Sequence, residues 1–155
     1  MKHMVDIDVV LDEQFPDPQI TIRTKSRTGQ VENIIEAIEN AADNGFPMIP
    51  GYDGERIVLL SQRDIIRVCT EGRKIMLQTE ERAYYSNTTL THMEDLLNPA
   101  RFLRISQSEL VNLYKVKCFS LDTAGTIGIE FENGAKSWAS RSRVKAIKAL
   151  IREYM

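Results

Sequence analysis

Two short basic clusters in the last third of the chain carry residue types suited to binding an anion. The first cluster spans residues 101–112 (RFLRISQSELVN), and the second spans residues 138–145 (WASRSRVK). Each lies beside a predicted helix start, where unpaired backbone N–H groups and the positive end of the helix dipole attract anions. Cationic side chains at such a position weaken the helix unless a negative group binds there. The two clusters therefore predict a polyanion as ligand.

The first cluster contains one residue that local structure does not explain. Ser106 and Glu109 fit a capping box, in which each side chain bonds to the backbone N–H of the other, and this predicts a helix start. Gln107 has no part in that box. Near Arg101 and Arg104, it can pair with an adenine edge while the arginines bind phosphate. The alternative is that the box is purely structural and Gln107 binds nothing.

The second cluster begins the helix that is predicted at the end of the chain. Its apolar stripe consists of Val144, Ile147, Ile151 and Tyr154, and its basic row consists of Arg141, Lys145, Lys148 and Arg152. The dipole disfavours cations in the first turn, so residues 141–143 are predicted to contact the ligand. For Lys148 and Arg152, a solvated helix face is an equally good interpretation.

The turn at residues 71–74 (EGRK) is a third candidate, because it joins two predicted strands. Arg73 and Lys74 at a hairpin tip can enter a groove or hold a phosphate. The same residue types are also common at hairpin tips, where they keep a protein soluble. Two other residues are expected to be structural: Asn112 satisfies backbone groups inside a turn, and Trp138 packs in the core or at its rim.

Composition indicates a globular protein without catalytic machinery. Of the 155 residues, 43% are hydrophobic and 27% are charged, as in a soluble domain. His3 and His92 are isolated and no Cys or His spacing suits a metal, so we expect neither an enzyme nor a cofactor or metal. Cys69 and Cys118 are expected to be reduced, buried thiols, with a redox pair as the minor alternative. The chain shows no signal peptide or membrane span, which predicts a cytoplasmic protein.

Charge is distributed unevenly along the chain, although its total is only −2. Residues 1–55 hold four basic and eleven acidic residues, whereas residues 56–155 hold sixteen basic and eleven acidic residues. Because an electrostatic field acts locally, this asymmetry favours nucleic-acid contact by the second segment. The alternative is an ordinary solvated surface, since such surfaces also differ by a few charges.

The first 50 residues are predicted to form a β-β-α appendage. Apolar and polar residues alternate over residues 5–10 and 19–23, which indicates two short strands separated by a break at residues 16–18 (PDP). Helical spacing then predicts a helix from about Thr28 to residues 44–45. Its acidic face would repel DNA, so the appendage is expected to be a dimerisation or partner surface.

Residues 51–155 are predicted to form a second domain, mainly β with small helices. A loop rich in Pro and Gly at residues 47–54 comes first. Strands are predicted at residues 57–60, 65–69, 75–79, 83–86, 116–121, 126–131 and 136–139, and a short helix at residues 90–97. The pair Asn133-Gly134 between the last two strands is a strong hairpin signal. This spacing is typical of an antiparallel β-rich α+β fold.

Residues 56–150 resemble a LytTR domain, the DNA-binding domain of bacterial transcription regulators. The run FLRISQSELVN at residues 102–112 is similar to the family pattern F-x-R-I/V-H-R/K/N-S-x-L/V-V-N. The run ASRSRVK at residues 139–145 is similar to V-S-R-x-Y-V-K, and DIIRV at residues 64–68 fits the strand that begins D-I-x-x-I/V. The spacing between these blocks also fits the family.

The resemblance implies short antiparallel sheets whose loops, rather than a recognition helix, enter successive major grooves of double-stranded DNA. By position, the contact loops fall on residues 71–74, 106–108 and 141–143, which are the segments singled out above. Ser106 stands where many members have His, and Gln107 stands where a basic residue or Asn is usual, so the base preference is expected to differ. The predicted DNA-contacting residues are Arg73, Lys74, Arg104, Ser106, Gln107, Ser108, Arg141, Ser142, Arg143 and Lys145.

The resemblance also predicts a free-standing transcription regulator, because no receiver domain precedes the LytTR-like part. We expect it to bind paired or repeated DNA sites as a homodimer, with a protein partner for the appendage as an additional expectation. An interpretation from another class is a protein-interaction module that kept the fold but lost specific DNA binding. Heparin retention and its salt dependence would distinguish these two interpretations.

Overall fold

The computed structural model describes residues 5–42 and 46–153 and divides the chain into two units, Met1–Ala41 and Ala42–Met155. Helix α1 (Gly29–Ala42) begins where the sequence predicts. The Thr28 hydroxyl accepts a hydrogen bond from the Val31 N–H at 3.4 Å, and the Thr28 carbonyl accepts one from the Glu32 N–H at 3.0 Å. The predicted end of this helix, at residues 44–45, lies outside the described residues.

The two strands predicted before α1 are not formed in the structure, which corrects the β-β-α description. Residues 5–28 have no helix or strand, and Val5, Ile7, Val9 and Leu11 are exposed. Alternating apolar residues form a half-buried strand only where a partner strand and a core are available. The break at residues 16–18 separates the two segments, and an isolated two-stranded hairpin is only marginally stable in water.

The described residues of the second unit form ten strands and two α-helices. In chain order they are β1 (Ile49–Asp53), β2 (Arg56–Leu60), β3 (Arg67–Glu71), β4 (Lys74–Gln78), β5 (Ala83–Ser86), α2 (Leu90–Leu96), β6 (Phe102–Ser106), β7 (Glu109–Asn112), β8 (Val116–Leu121), β9 (Ile127–Phe131), β10 (Lys136–Trp138) and α3 (Val144–Glu153). Seven strands form an antiparallel sheet in the order β2-β1-β5-β4-β3-β7-β6, and three form a second sheet in the order β10-β9-β8. The predicted β-rich fold with small helices is confirmed.

Strand β7 separates two hydrophobic cores. Leu110 belongs to a core with Leu90 and Met93 of α2, whereas Val111 on the opposite face belongs to a core with Ile129 of β9 and Ile147 of α3. Successive strand residues point to opposite faces, so a strand covered on both sides is apolar at consecutive positions. The second sheet and α3 therefore pack on the opposite face of the large sheet from α2.

Three strands, β1, β6 and β7, form where the sequence predicts no strand. Strand β1 lies in the predicted Pro- and Gly-rich loop, and it pairs residue by residue with β2. Gly51 permits β1 to lie against β5 on its other side, because a Cβ at this position would lie 2.7 Å from the Cβ of Tyr84 in β5. The segment predicted to begin a helix at Ser106 is instead the turn of the β6–β7 hairpin. Burial of Leu110 and Val111 on opposite faces suits a strand, and this packing overrides the local capping signal.

Candidate nucleic-acid interface

The first candidate segment, residues 71–74, is the tip of the β3–β4 hairpin, as predicted. Glu71 pairs with Lys74 across the end of the ladder, and Gly72 adopts a positive φ of 63°. This backbone conformation suits glycine because it has no Cβ. The side chains of Arg73 and Lys74 are exposed at the tip.

The second segment, residues 106–108, is a tight turn held by its own hydroxyl groups. The Ser106 Oγ accepts a hydrogen bond from the Ser108 N–H at 3.2 Å and lies 3.2 Å from the Ser108 Oγ. Such side-chain bonds to the backbone favour turns over regular structure. Gln107 is at the apex of this turn and is exposed.

Glu109 does not close a capping box with Ser106, which corrects that prediction. Its Oε1 accepts a hydrogen bond from the Ser137 hydroxyl at 2.6 Å and lies 3.4 Å from Nη1 of Arg67. Arg67 also donates to the Ser137 Oγ at 2.9 Å, so the three residues join β3 and β7 to β10. Because these partners are 28 to 70 residues apart in the chain, no local pattern indicates the network.

Arg104, predicted to contact DNA, is engaged in bonds to the Gln107 turn. Its Nε donates to the Ser106 carbonyl at 3.0 Å, and its Nη2 donates to the Gln107 carbonyl at 2.7 Å. Its Nη1 donates to Glu94 at 3.2 Å. The Arg104 side chain is only 16% exposed, so it differs from the exposed arginine in the first segment.

The third segment, residues 141–143, is a single 3₁₀ turn that leads into α3. Arg141 and Ser142 are exposed and Arg143 is half-buried. Ser140 precedes this turn without a side-chain cap, so nearby N–H groups lack the usual hydroxyl acceptor. The prediction of cations at a helix start is confirmed here, although it is wrong at Ser106.

Helix α3 continues the basic surface of the third segment. Ile147 is buried and Val144 and Ile151 are half-buried, as the predicted stripe requires, while Tyr154 lies outside the described residues. A shallow depression on the helix is lined by Arg141, Val144, Lys145, Lys148 and Arg152. Lys145 and Lys148 are exposed.

Two backbone hydrogen bonds bring the three segments together. The Thr70 N–H donates to the Ser108 carbonyl at 2.9 Å, which joins the end of β3 to the second segment. The Ser140 N–H donates to the Ile105 carbonyl at 2.8 Å, which joins the third segment to the same hairpin. The β6–β7 turn therefore lies between the other two segments. We call this combined region, residues 71–74, 106–108 and 140–145, the three-loop surface.

Three exposed cations of the three-loop surface have no anionic partner among the described residues. In the part of the chain that the structure describes, Arg73, Lys74 and Arg141 form no ion pair, in contrast to Arg67 and Arg104. Exposed cations that are close in space repel each other, and an external polyanion relieves that repulsion.

Two other predicted residues, Asn112 and Trp138, are structural. Asn112 is fully buried: its Nδ2 donates to the Ile65 carbonyl at 2.8 Å, and its Oδ1 accepts from the Tyr114 N–H at 3.0 Å. Trp138 lies against Gly128 but stays 62% exposed, so it is at the rim of the core. The expectation that both thiols are buried is wrong, because Cys118 on the edge strand β8 is exposed.

The described residues were compared with the arrangement that a metal site needs. No three His, Cys, Asp or Glu side chains of residues 5–42 and 46–153 form a group that could hold a metal ion. Over the same ranges, no helix has the length and apolar character needed to cross a membrane.

Burial, followed by the negative charge of Glu109, raises the pKa of the half-buried Cys69 thiol. This thiol is consequently a weak nucleophile at neutral pH.

Comparison with protein families and curated proteins identifies relatives of this region. The family model of the LytTr DNA-binding domain matches residues 55–152. A heme-containing CO-sensing transcriptional regulator of Paraburkholderia xenovorans (strain LB400) is 30% identical over 104 residues, which cover 66% of this chain and 39% of the regulator. An HTH-type transcriptional regulator of Staphylococcus aureus (strain MSSA476) is 25% identical over 145 residues, covering 94% of this chain and 97% of that protein.

A solved structure shares the fold. The LytTr DNA-binding domain of a methyl-accepting/DNA response regulator from Bacillus cereus superimposes with a TM-score of 0.66 at 20% sequence identity. The match covers 69% of this chain and 98% of that domain. It confirms the fold that the sequence resemblance implies.

Proposed function

The chain belongs to the LytTR DNA-binding domain family, and from this membership we propose that it is a sequence-specific transcription regulator that binds double-stranded DNA. The observation that carries the proposal is the three-loop surface, where bonds at Thr70 and Ser140 hold three exposed loops side by side. Loops of this size can reach base edges in a major groove while cations beside them contact phosphate.

The residues of the three-loop surface divide into two roles. Arg73, Lys74, Arg141, Arg143 and Lys145 supply charge for the phosphate backbone. Gln107 is the residue suited to a base edge, because its amide donates and accepts like the edge of adenine. The hydroxyls of Ser106, Ser108 and Ser142 are groups that can donate to phosphate oxygens or to bridging waters.

The loops are proposed to enter successive major grooves, with two protomers on paired sites. One small β-domain covers a limited length of duplex, and a second protomer extends the footprint. Residues 51–155 provide the DNA contacts, and residues 1–50 provide the surface for dimerisation or a protein partner. The acidic residues Glu32, Glu36 and Glu39 of α1 support this division, because they would repel phosphate.

A second candidate function is a protein-interaction module that retains the fold but lacks specific DNA binding. It is favoured by an exposed apolar strip at the edge of the large sheet, where Tyr52 of β1 faces Ile57 of β2 and Leu59 follows on the same face. Exposed apolar strips mark interaction sites in many proteins. The strip is also compatible with DNA binding, since it belongs to the opposite edge of the sheet from β6.

Selection from a random duplex library tests the proposed function. The protein is incubated with the library, and bound duplexes are amplified and sequenced. The enriched duplex is then analysed by native mass spectrometry and by dimethyl sulfate footprinting, which detects protection of guanine N7 in the major groove. We expect a recurring motif, protection in successive major grooves about one helical turn apart, and two protomers per duplex. Absence of any enriched motif would favour the interaction module, and a single protomer on the enriched duplex would contradict the paired-site arrangement.

A further inference from the structure

We propose that Arg104 is a positioning residue that sets the conformation of the Gln107 turn and is itself fixed by Glu94. On this inference, which rests on the proposed function, the two residues determine sequence selectivity without contacting DNA. The alternative is that Arg104 contacts phosphate, as its position in the first basic cluster suggests. The contacts of Arg104, Glu94 and the turn distinguish these two roles.

The guanidinium of Arg104 is committed to the protein on three sides. Two of its nitrogens donate to consecutive turn carbonyls, those of Ser106 at 3.0 Å and Gln107 at 2.7 Å. The third nitrogen lies 3.2 Å from the Glu94 carboxylate and 3.4 Å from the Thr91 hydroxyl. A planar guanidinium has five N–H donors in a fixed fork, so these four acceptors use most of its capacity.

The turn needs such support because its backbone leaves the regular ladder. The β6–β7 register shifts between Arg104 and Ser106, and the apex carbonyls at Ser106 and Gln107 point to Arg104 instead of to a strand. Without the guanidinium these two carbonyls would bond to water, and the turn would sample more conformations. A base-reading side chain on a mobile turn loses selectivity, because the correct base pair must then supply the ordering free energy.

Glu94 fixes the guanidinium from a rigid element. Helix α2 is anchored by the buried Leu90 and Met93 and is capped by the Thr89 hydroxyl, which accepts from the His92 N–H at 3.1 Å. The side chain of Glu94 is 45% exposed, and it offsets the charge of Arg104. The pair therefore adds little net field for phosphate, unlike the cations of the three-loop surface.

Two conservative variants distinguish a positioning residue from a phosphate contact. Arg104→Lys keeps the positive charge but loses the fork that spans two carbonyls. Glu94→Gln keeps the shape of the partner but removes its charge. Arg82→Lys is the matched control. Arg82 lies in the turn between β4 and β5, away from the three-loop surface, and its side chain pairs with Asp53 of β1 at 2.6 Å.

Dissociation constants are measured for each variant on two duplexes: the one enriched by the wild type and a scrambled duplex of equal composition. Hydrogen exchange of the Ser108 amide is followed in the unbound protein, and thermal melts report folding. For Arg104→Lys we expect the enriched-to-scrambled affinity ratio to fall about tenfold, with unchanged affinity for the scrambled duplex and faster Ser108 exchange. Glu94→Gln should lower the ratio by less, and Arg82→Lys should leave it unchanged.

If Arg104 instead contacts phosphate, removing the charge of Glu94 has the opposite effect on affinity. If Arg104 contacts phosphate, Glu94→Gln will tighten binding to both duplexes alike, and this result would overturn the inference even if Arg104→Lys melts too early to be measured. An unchanged ratio in both variants would also overturn it. Failure of the proposed function is recognised separately, because the wild type itself would then bind the two duplexes equally, and the inference would fall with it.

Discussion

Gln107 is the residue that we propose reads the base sequence, whereas the neighbouring cations bind any polyanion. It is exposed at the apex of the β6–β7 turn, and its backbone carbonyl is held by Arg104. Gln107→Ala should reduce the preference for the enriched duplex by about 1–3 kcal/mol and leave binding to scrambled DNA nearly unchanged, because only a base-edge contact carries sequence information. Binding isotherms on both duplexes measure this change. A lower melting temperature with an intact preference would show that Gln107 is structural.

Lys148 provides the contrasting case on α3. It is exposed beside Lys145 and Arg152 along the basic depression. Lys148→Ala should weaken binding to all sequences alike and flatten the log–log salt dependence by about one contact. The matched control is Lys117→Ala, since Lys117 is exposed on β8 and pairs with Glu130. Equal losses in Lys148→Ala and Lys117→Ala would assign Lys148 to a solvated face.

Single residues are predictable from sequence when their partners are local. The glycine at the tip of the β3–β4 hairpin and the exposed Arg73 follow from a short pattern. The role of Glu109 does not, because its partners Arg67 and Ser137 come from distant strands. From sequence alone, Glu109 fits a capping box as well as it fits this network, and only the tertiary structure distinguishes the two roles.

Secondary-structure elements were predictable where a hydrophobic pattern had one interpretation. Strands β5 and β8 have the predicted bounds, and α2 ends one residue before the predicted end. Strand β1 was missed because Pro50 and Gly51 indicate a loop, although Gly51 is needed for the approach of Tyr84. Strand β7 was missed because a strand buried on both faces lacks alternation, and β6 was missed because the capping box at Ser106 indicated the start of a helix.

The junction after β7 depends on a buried amide. Asn112→Ala would leave the Ile65 carbonyl and the Tyr114 N–H without their partner, in a site where Asn112 is fully buried. We expect the free energy of unfolding to fall by about 2–3 kcal/mol, measured by urea denaturation. The control is Asn133→Ala, in the exposed turn between β9 and β10, which should cost much less. A loss below that of Asn133→Ala would contradict a structural role for Asn112.

Over the whole molecule, residues 1–55 are acidic and residues 56–155 are basic. Charge asymmetry alone did not predict that the three loops would meet; the LytTR resemblance implied it, and the bonds at Thr70 and Ser140 supply the physical reason. The two strands predicted before α1 are absent because alternating residues form a strand only if the rest of the structure supplies a partner strand. Sequence patterns therefore predicted residues 51–155 better than residues 1–50.

The salt dependence of DNA binding tests the central claim most directly. Dissociation constants would be measured by fluorescence anisotropy with a labelled duplex, at salt concentrations from about 50 to about 200 mM. The cations of the three-loop surface and α3 can make roughly four to six phosphate contacts. Because bound cations release condensed counterions, the logarithm of the binding constant should fall with the logarithm of the salt concentration at a slope of about −4 to −5. A slope near zero over this range would contradict the account.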